Sequence, residues 1–255
     1  GRARQRRSAW LWRTAEEVVV ELCEGARNLY EDIAAFRPFN EQEAADKEVI
    51  LQALEADPHV AERSAQAHLA CSVWTVDPAF EQTLLVYHDI YDSWSWIGGH
   101  ADGELDLAAV ALRELEEETG VHGRLVPCDG GAALRRACGQ DAESALACEG
   151  VEGQGALRAD APGAKAAARP GLVFSLEVLT VDGHEKRGAY VSSHVHLNVT
   201  YLAVADPAEP LRVKPDENSG VRWVPLEDAI RLSTEPWIRD RIYRKLIDKL
   251  AVVRG

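Results

Sequence analysis

One stretch constrains this chain more than any other: GGHADGELDLAAVALRELEEETGV, residues 98–121. Gly98 and Gly99 end an extended run, Gly103 sits in the loop that follows, and Gly120 closes what lies between. On a helix with about 3.6 residues per turn, Ala108, Ala111, Leu112 and Leu115 form an apolar stripe. Glu114, Glu117 and Glu118 share another face, with Glu116 turned away from them. Like charges at this spacing repel by roughly 0.2–0.5 kcal/mol per pair. Composition alone fits an ordinary solvated acidic face. The glycine-bounded strand–loop–helix–loop pattern fits a second reading, because it brings loop carbonyls near the glutamates. A hard divalent cation takes such an oxygen shell and relieves the repulsion.

The remaining composition narrows the partners. A formal charge of −14 over 255 residues argues against broad binding to nucleic acid or to anionic membranes, which needs a basic surface. A small phosphate substrate stays open, provided a cation supplies local positive charge. No apolar run approaches the roughly 18–20 residues of a membrane span. The start, GRARQRRSAWLWRTAEE, is basic like a signal peptide, but Arg13, Glu16 and Glu17 interrupt the apolar part. The five cysteines include no CxxC pair, and reduced thiols in a cytoplasmic setting are the expectation.

Helical spacing predicts a helix over about 14–36, with Thr14 as N-cap, and a second from Asn40 to about Glu55 with Glu43 in its first turn. Runs rich in β-branched and aromatic residues predict strands at HLACSVWTV, TLLVYHDI, LVFSLEVLTV, HVHLNVTYLAV and GVRWVPL, and an extended SWSWIGG. A short helix near 226–232 and a closing helix over about 236–250 complete the pattern. Between Cys128 and Pro170, alanine and glycine dominate and large apolar residues are scarce, so this segment reads as a mostly disordered insertion. Cys128, Cys138 and Cys148 within it match no zinc spacing and read as incidental thiols.

The acidic stretch resembles the signature of the Nudix hydrolases, G-x5-E-x7-R-E-U-x-E-E-x-G-U, where U is bulky and apolar. Gly99 fits the first glycine, and Arg113, Glu114, Leu115, Glu117, Glu118, Gly120 and Val121 fit every fixed position of the second half. The glutamate due at position 105 is instead Leu105, flanked by Glu104 and Asp106. In the family that glutamate mainly braces the loop, and Glu104 is placed to substitute through a one-residue slip. The resemblance implies an α/β class fold: an α/β/α sandwich around a mixed sheet, with an N-terminal helical extension. It divides the chain into a tail and helical leader at 1–66 and a Nudix domain at 67–250, with the insertion at 128–170.

The resemblance further implies Mg2+- or Mn2+-dependent hydrolysis of the pyrophosphate linkage of a nucleoside diphosphate derivative by an activated water. The implied metal ligands are the Gly99 carbonyl, Glu114, Glu117 and Glu118, with Glu117 or Glu118 accepting the water's proton and Arg113 orienting the carboxylates. A late-loop acid often completes such a site, and Glu217 in KPDENSG is the candidate, with Asp216 next. His194 and His196 alternate along a strand and so share a face, as do Trp94 and Trp96; His194, His196 and Trp96 are candidate substrate contacts. His100 lies in the signature loop, and Asp182, Gly183 and His184 read as a turn. The expected partner is a small nucleotide or diphosphate, and homodimers are frequent in the family. Two other readings stay open: a Nudix-fold regulator that binds a ligand without cleaving it, favoured by Leu105, and an isoprenoid-diphosphate isomerase. Cys71 near a strand is the only feature toward the latter.

Overall fold

The computed structural model describes residues 22–90, 92–128, 171–186 and 188–254. The first third of the predicted N-terminal helix and all of the predicted insertion except Cys128 lie outside these residues, as do Cys138 and Cys148. Among the described residues the leader is two helices, α1 (Glu24–Ala35) and α2 (Glu41–Ala56). The start of α2 follows from its sequence: the Asn40 side chain accepts from the Glu43 N–H at 3.0 Å, and the Glu43 carboxylate accepts from the Phe39 N–H at 2.7 Å.

The strands are β1 (Ala67–Val76), β2 (Gln82–His88), β3 (Ser93–Ser95), β4 (Ile97–His100), β5 (Arg124–Leu125), β6 (Val173–Val181) and β9 (His194–Val204), with β10 (Asn218–Pro225). They form one eight-stranded mixed sheet. A separate hairpin pairs β7 (His184–Lys186) with β8 (Ala189–Val191). β1 and β9 run parallel at the centre in an unbroken register from Ala67↔Val195 to Val76↔Val204, and the other pairings are antiparallel.

The period-2 alternation of the strands places a core on each side of the sheet. Leu69, Cys71 and Val73 of β1 join Leu197, Val199 and Tyr201 of β9 beneath α1, α2 and the acidic helix α3 (Leu107–Thr119). Trp74, Val76 and Leu202 face the other way, toward α4 (Leu226–Leu232), a π-helix (Ile238–Tyr243) and α5 (Arg244–Arg254). The architecture is therefore the expected α/β sandwich with N-terminal helices. The closing helix differs from expectation in one respect, because its first part is a π-helix. That turn buries Ile242 and Tyr243 together, and the Tyr243 ring packs 5.1 Å from Trp74.

At the β6 edge, α2 and α5 meet through charges. Lys245 reaches Glu177 at 2.9 Å and Glu43 at 3.4 Å, and Lys249 reaches Glu43 at 2.7 Å. Glu177 also accepts from Asn198 at 2.9 Å and from Thr200 at 2.7 Å. The leader is thus tied to the last helix by a hydrogen-bonded, buried ion network as well as by apolar packing.

The helical leader also accounts for Leu105. Its side chain packs against the core, and a Cβ built on Gly25 of α1 would lie 3.2 Å from it. A carboxylate here would be desolvated under α1. Leu105→Glu is therefore expected to lower stability by about 1–3 kcal/mol without raising activity. Urea unfolding reads this directly, and an unchanged midpoint would mean that α1 does not cover the position.

Candidate metal and active site

The acidic helix starts and stops where its sequence dictates. The Asp106 side chain caps it by accepting from the Ala109 N–H at 3.2 Å. Gly120 ends it in the left-handed region at φ 77°, with its N–H donating to the Glu116 carbonyl at 2.8 Å. Arg113 donates to Glu104 at 2.8 Å and so ties helix to loop. The three residues Glu104, Leu105 and Asp106 thus divide the work: an ion pair, a contact to α1 and a helix cap.

The late loop is fastened to the far end of the same helix. The Arg212 N–H donates to the Thr119 carbonyl at 2.8 Å, and buried Asn218 donates its side-chain amide to the Glu118 carbonyl at 3.1 Å. These bonds bring Glu217 over the helix. One carboxylate oxygen from each of Glu114, Glu118 and Glu217 lies within 4.8 Å of the others. The backbone makes room for them at Gly99, where an added Cβ would sit 2.6 Å from the Glu114 carboxylate.

Electrostatically the cluster is under-compensated. Glu118 is only 2% exposed, and its nearest donor is the Gly98 N–H at 3.4 Å. Burial, with Glu114 and Glu217 beside it, pushes its carboxyl up to about 8. Burial also raises Glu114, with Glu117 and Glu217 adding to the effect. A divalent cation would reverse both penalties, and hard oxygen donors at this separation suit Mg2+ or Mn2+.

Glu117 lies outside this trio. It is exposed and pairs with Lys214 at 3.0 Å, and the same lysine reaches Glu217 at 3.1 Å. Burial opposes the charge on Lys214, but hydrogen bonds to Glu117 and Glu217 outweigh it and raise its pKa above the ordinary value. Lys214 had only its i, i+3 spacing to Glu217 as a sequence signal, and Asn218 had none.

The carboxylates open onto a cleft of about 660 Å³ that Glu114 and Glu217 line. His194, His196, His100, His184, Asp216 and Trp96 also line it. Trp96 packs edge-on against Tyr243 with centroids 5.7 Å apart, and the Trp96 backbone N–H donates to the Tyr243 hydroxyl at 2.9 Å. Trp94 is elsewhere, with the Arg222 guanidinium 4.0 Å over its ring. Both tryptophans pack on the same side of the sheet, the one that faces α5, while touching different partners there. Burial drives the His196 pKa down to about 2, with His100, His68 and His194 contributing, so its ring is neutral. Cys71 is buried and its thiol is pushed up to about 12, so it stays protonated and is a poor nucleophile.

Fold and site together define a domain that gathers carboxylates on a strand–loop–helix–loop beside an open cleft. Residues 67–190 match the family model described as the NUDIX domain, and this part of the chain is a Nudix domain. Among solved structures, a NUDIX-family hydrolase from Clostridium perfringens aligns at 18% identity and a TM-score of 0.43, covering 73% of this chain and 97% of that one. A C. elegans Ap4A hydrolase binary complex aligns at 16% identity and a TM-score of 0.39, covering 72% and 94%. No curated protein matches the chain. No helix among the described residues is long and apolar enough to cross a membrane.

Proposed function

We propose that the chain hydrolyses the pyrophosphate linkage of a nucleoside diphosphate derivative with the help of Mg2+ or Mn2+, in the cytoplasm. The observation that supports this most is the buried Glu118 carboxylate, set against Glu114 and Glu217 and held up at about 8 even with Lys214 paired to Glu217. Glu114, Glu118 and Glu217 would hold the metal, with the Gly99 carbonyl as a further ligand. Bound there, a divalent ion supplies Lewis-acid charge to offset the diphosphate and ease attack by water. Glu117, one position from Glu118 and solvent-facing, is assigned the water's proton. Lys214 joins Glu117 to Glu217 and keeps both near the cluster. Arg113 positions the loop through Glu104. Trp96, His194 and His196 line the part of the cleft where the remainder of the substrate would lie.

Nucleoside diphosphate sugars, dinucleoside polyphosphates, deoxynucleoside triphosphates, NADH and coenzyme A, each with and without Mg2+, provide the test. Metal-dependent cleavage of a phosphoanhydride in one class is the expected result. Binding of a nucleotide with no turnover in any class would replace the hydrolase by the regulator reading. Within the hydrolase reading, Gly99→Ala forces Glu114 aside, and the Mg2+ concentration for half-maximal rate is expected to rise by about 10–100-fold. A Mg2+ titration of the rate measures this, and an unchanged midpoint would remove Glu114 from the ligand set.

A further inference from the structure

The same cleft holds a second cluster that the carboxylate site does not use. The parallel register sets His68 of β1 opposite His196 of β9, and the alternation of β9 adds His194 on the same face. β4 pairs antiparallel with β1 and brings in His100 opposite Ala70, two residues along from His68. One ring nitrogen from each of the four histidines lies within 4.8 Å of the others.

Two of the four rings have their tautomer set by the backbone. His68 places Nδ1 2.8 Å from the Ala65 carbonyl, and His194 places Nδ1 2.8 Å from the Ser192 carbonyl. Each Nδ1 therefore carries the proton, and each Nε2 presents a lone pair. A backbone carbonyl on the far nitrogen is also how metal-binding imidazoles are commonly oriented. The Nε2 atoms of His194 and His196 are 3.1 Å apart, and two nitrogens on a tetrahedral zinc at about 2.0–2.1 Å sit roughly 3.3 Å from one another. A hydrogen bond between those two rings would satisfy that pair alone. It leaves His68, 3% exposed, with a buried Nε2 that has no hydrogen-bond partner. An orphaned acceptor of this kind is costly unless something binds it.

We infer that His68, His100, His194 and His196 form a binding site for a divalent transition ion that prefers nitrogen, of which Zn2+ is the type. The site is distinct from the carboxylate trio by donor chemistry: imidazoles select borderline ions, whereas carboxylates and carbonyls select Mg2+ and Mn2+. Four neutral imidazoles leave the ion's two positive charges uncancelled inside the cleft. The ion, rather than the bare rings, would then face the anionic part of a ligand. The inference stands on the histidine geometry and does not depend on the hydrolase reading.

The full chain, stripped with a chelator and kept in excess Mg2+, is titrated with Co2+ and followed by its visible d–d absorption. About one equivalent of nitrogen-coordinated Co2+ is expected, displaced by Zn2+ and not by Mg2+. The double variant His194→Ala/His196→Ala is expected to weaken Co2+ binding at least about tenfold, with the fold checked by circular dichroism. His194→Ala alone, which removes a half-buried ring at the start of β9, is read in the same way if the double variant unfolds. Glu118→Gln is expected to keep the Co2+ signal. Absence of the signal, a thiolate charge-transfer band, equal Co2+ affinity in the histidine variants, or its loss in Glu118→Gln would each overturn the proposal.

Discussion

Glu118→Gln is expected to lose Mg2+-dependent hydrolysis by about a thousandfold or more, equivalent to roughly 4 kcal/mol of transition-state stabilisation. The same change is expected to make the metal-free protein more stable. The folded-state carboxyl of Glu118 sits at about 8, above its ordinary 4.5, because burial and two neighbouring acids oppose its charge. For a raised carboxyl the penalty is absent below the ordinary value, grows as pH rises, and is complete above the folded value. Metal-free wild type should therefore lose stability between about pH 4.5 and 8, and the glutamine variant should lack that slope. Added Mg2+ should restore the wild type and leave the variant unaffected. Thermal melts across pH, with chelator or Mg2+, together with rates, separate these outcomes. Equal melting in both proteins, with full activity in the variant, would dismiss the metal site.

Lys245→Ala carries the largest expected cost in stability, about 3–5 kcal/mol, because it strands charge in the interior. Lys245, Glu43 and Glu177 have side chains no more than 2% exposed. Burial alone would raise the Glu177 carboxyl, but the Lys245 ammonium and hydrogen bonds from Ser175 and Thr200 overcome this and hold it below its ordinary value. A depressed carboxyl contributes stability above its unfolded value and loses it as pH falls through the folded one. Wild type should thus unfold in acid once Glu177 is protonated, and Lys245→Ala should be weakened already at neutral pH. Lys245→Met tests whether charge or packing matters: if packing dominates, methionine recovers most of the loss. Denaturant unfolding of both variants measures the difference. A fully stable Lys245→Ala would mean that the Lys245 charge adds nothing to what the apolar contacts and the Lys249–Glu43 pair supply.

The order of elements was legible because it rests on local rules. Runs rich in β-branched and aromatic residues gave β1, β2, β6, β9 and β10 within a residue or two, and Asn40 with Glu43 marked the start of α2. The box was legible through glycines and capping: Asp106 and Gly120 bound a helix whose apolar stripe must face a core. Less was legible where geometry departs from ideal repeats. The π-helix shifts the phase of the last helix. Glu177, a lone charge inside an apolar strand, was the available signal for the buried lysines.

By itself the sequence determined that a short acidic helix with glycine-bounded ends would present glutamates along an edge, since 3.6 residues per turn fixes which side chains are neighbours. Only the tertiary structure decided which acids share a point in space. It left Glu117 with Lys214, and it carried Glu217 across about a hundred residues to Glu118 by way of Asn218. It also set four histidines from three strands around one spot. Helical periodicity acts within a few residues, whereas those meetings depend on strand register and loop anchoring, which arise only when the whole sheet forms.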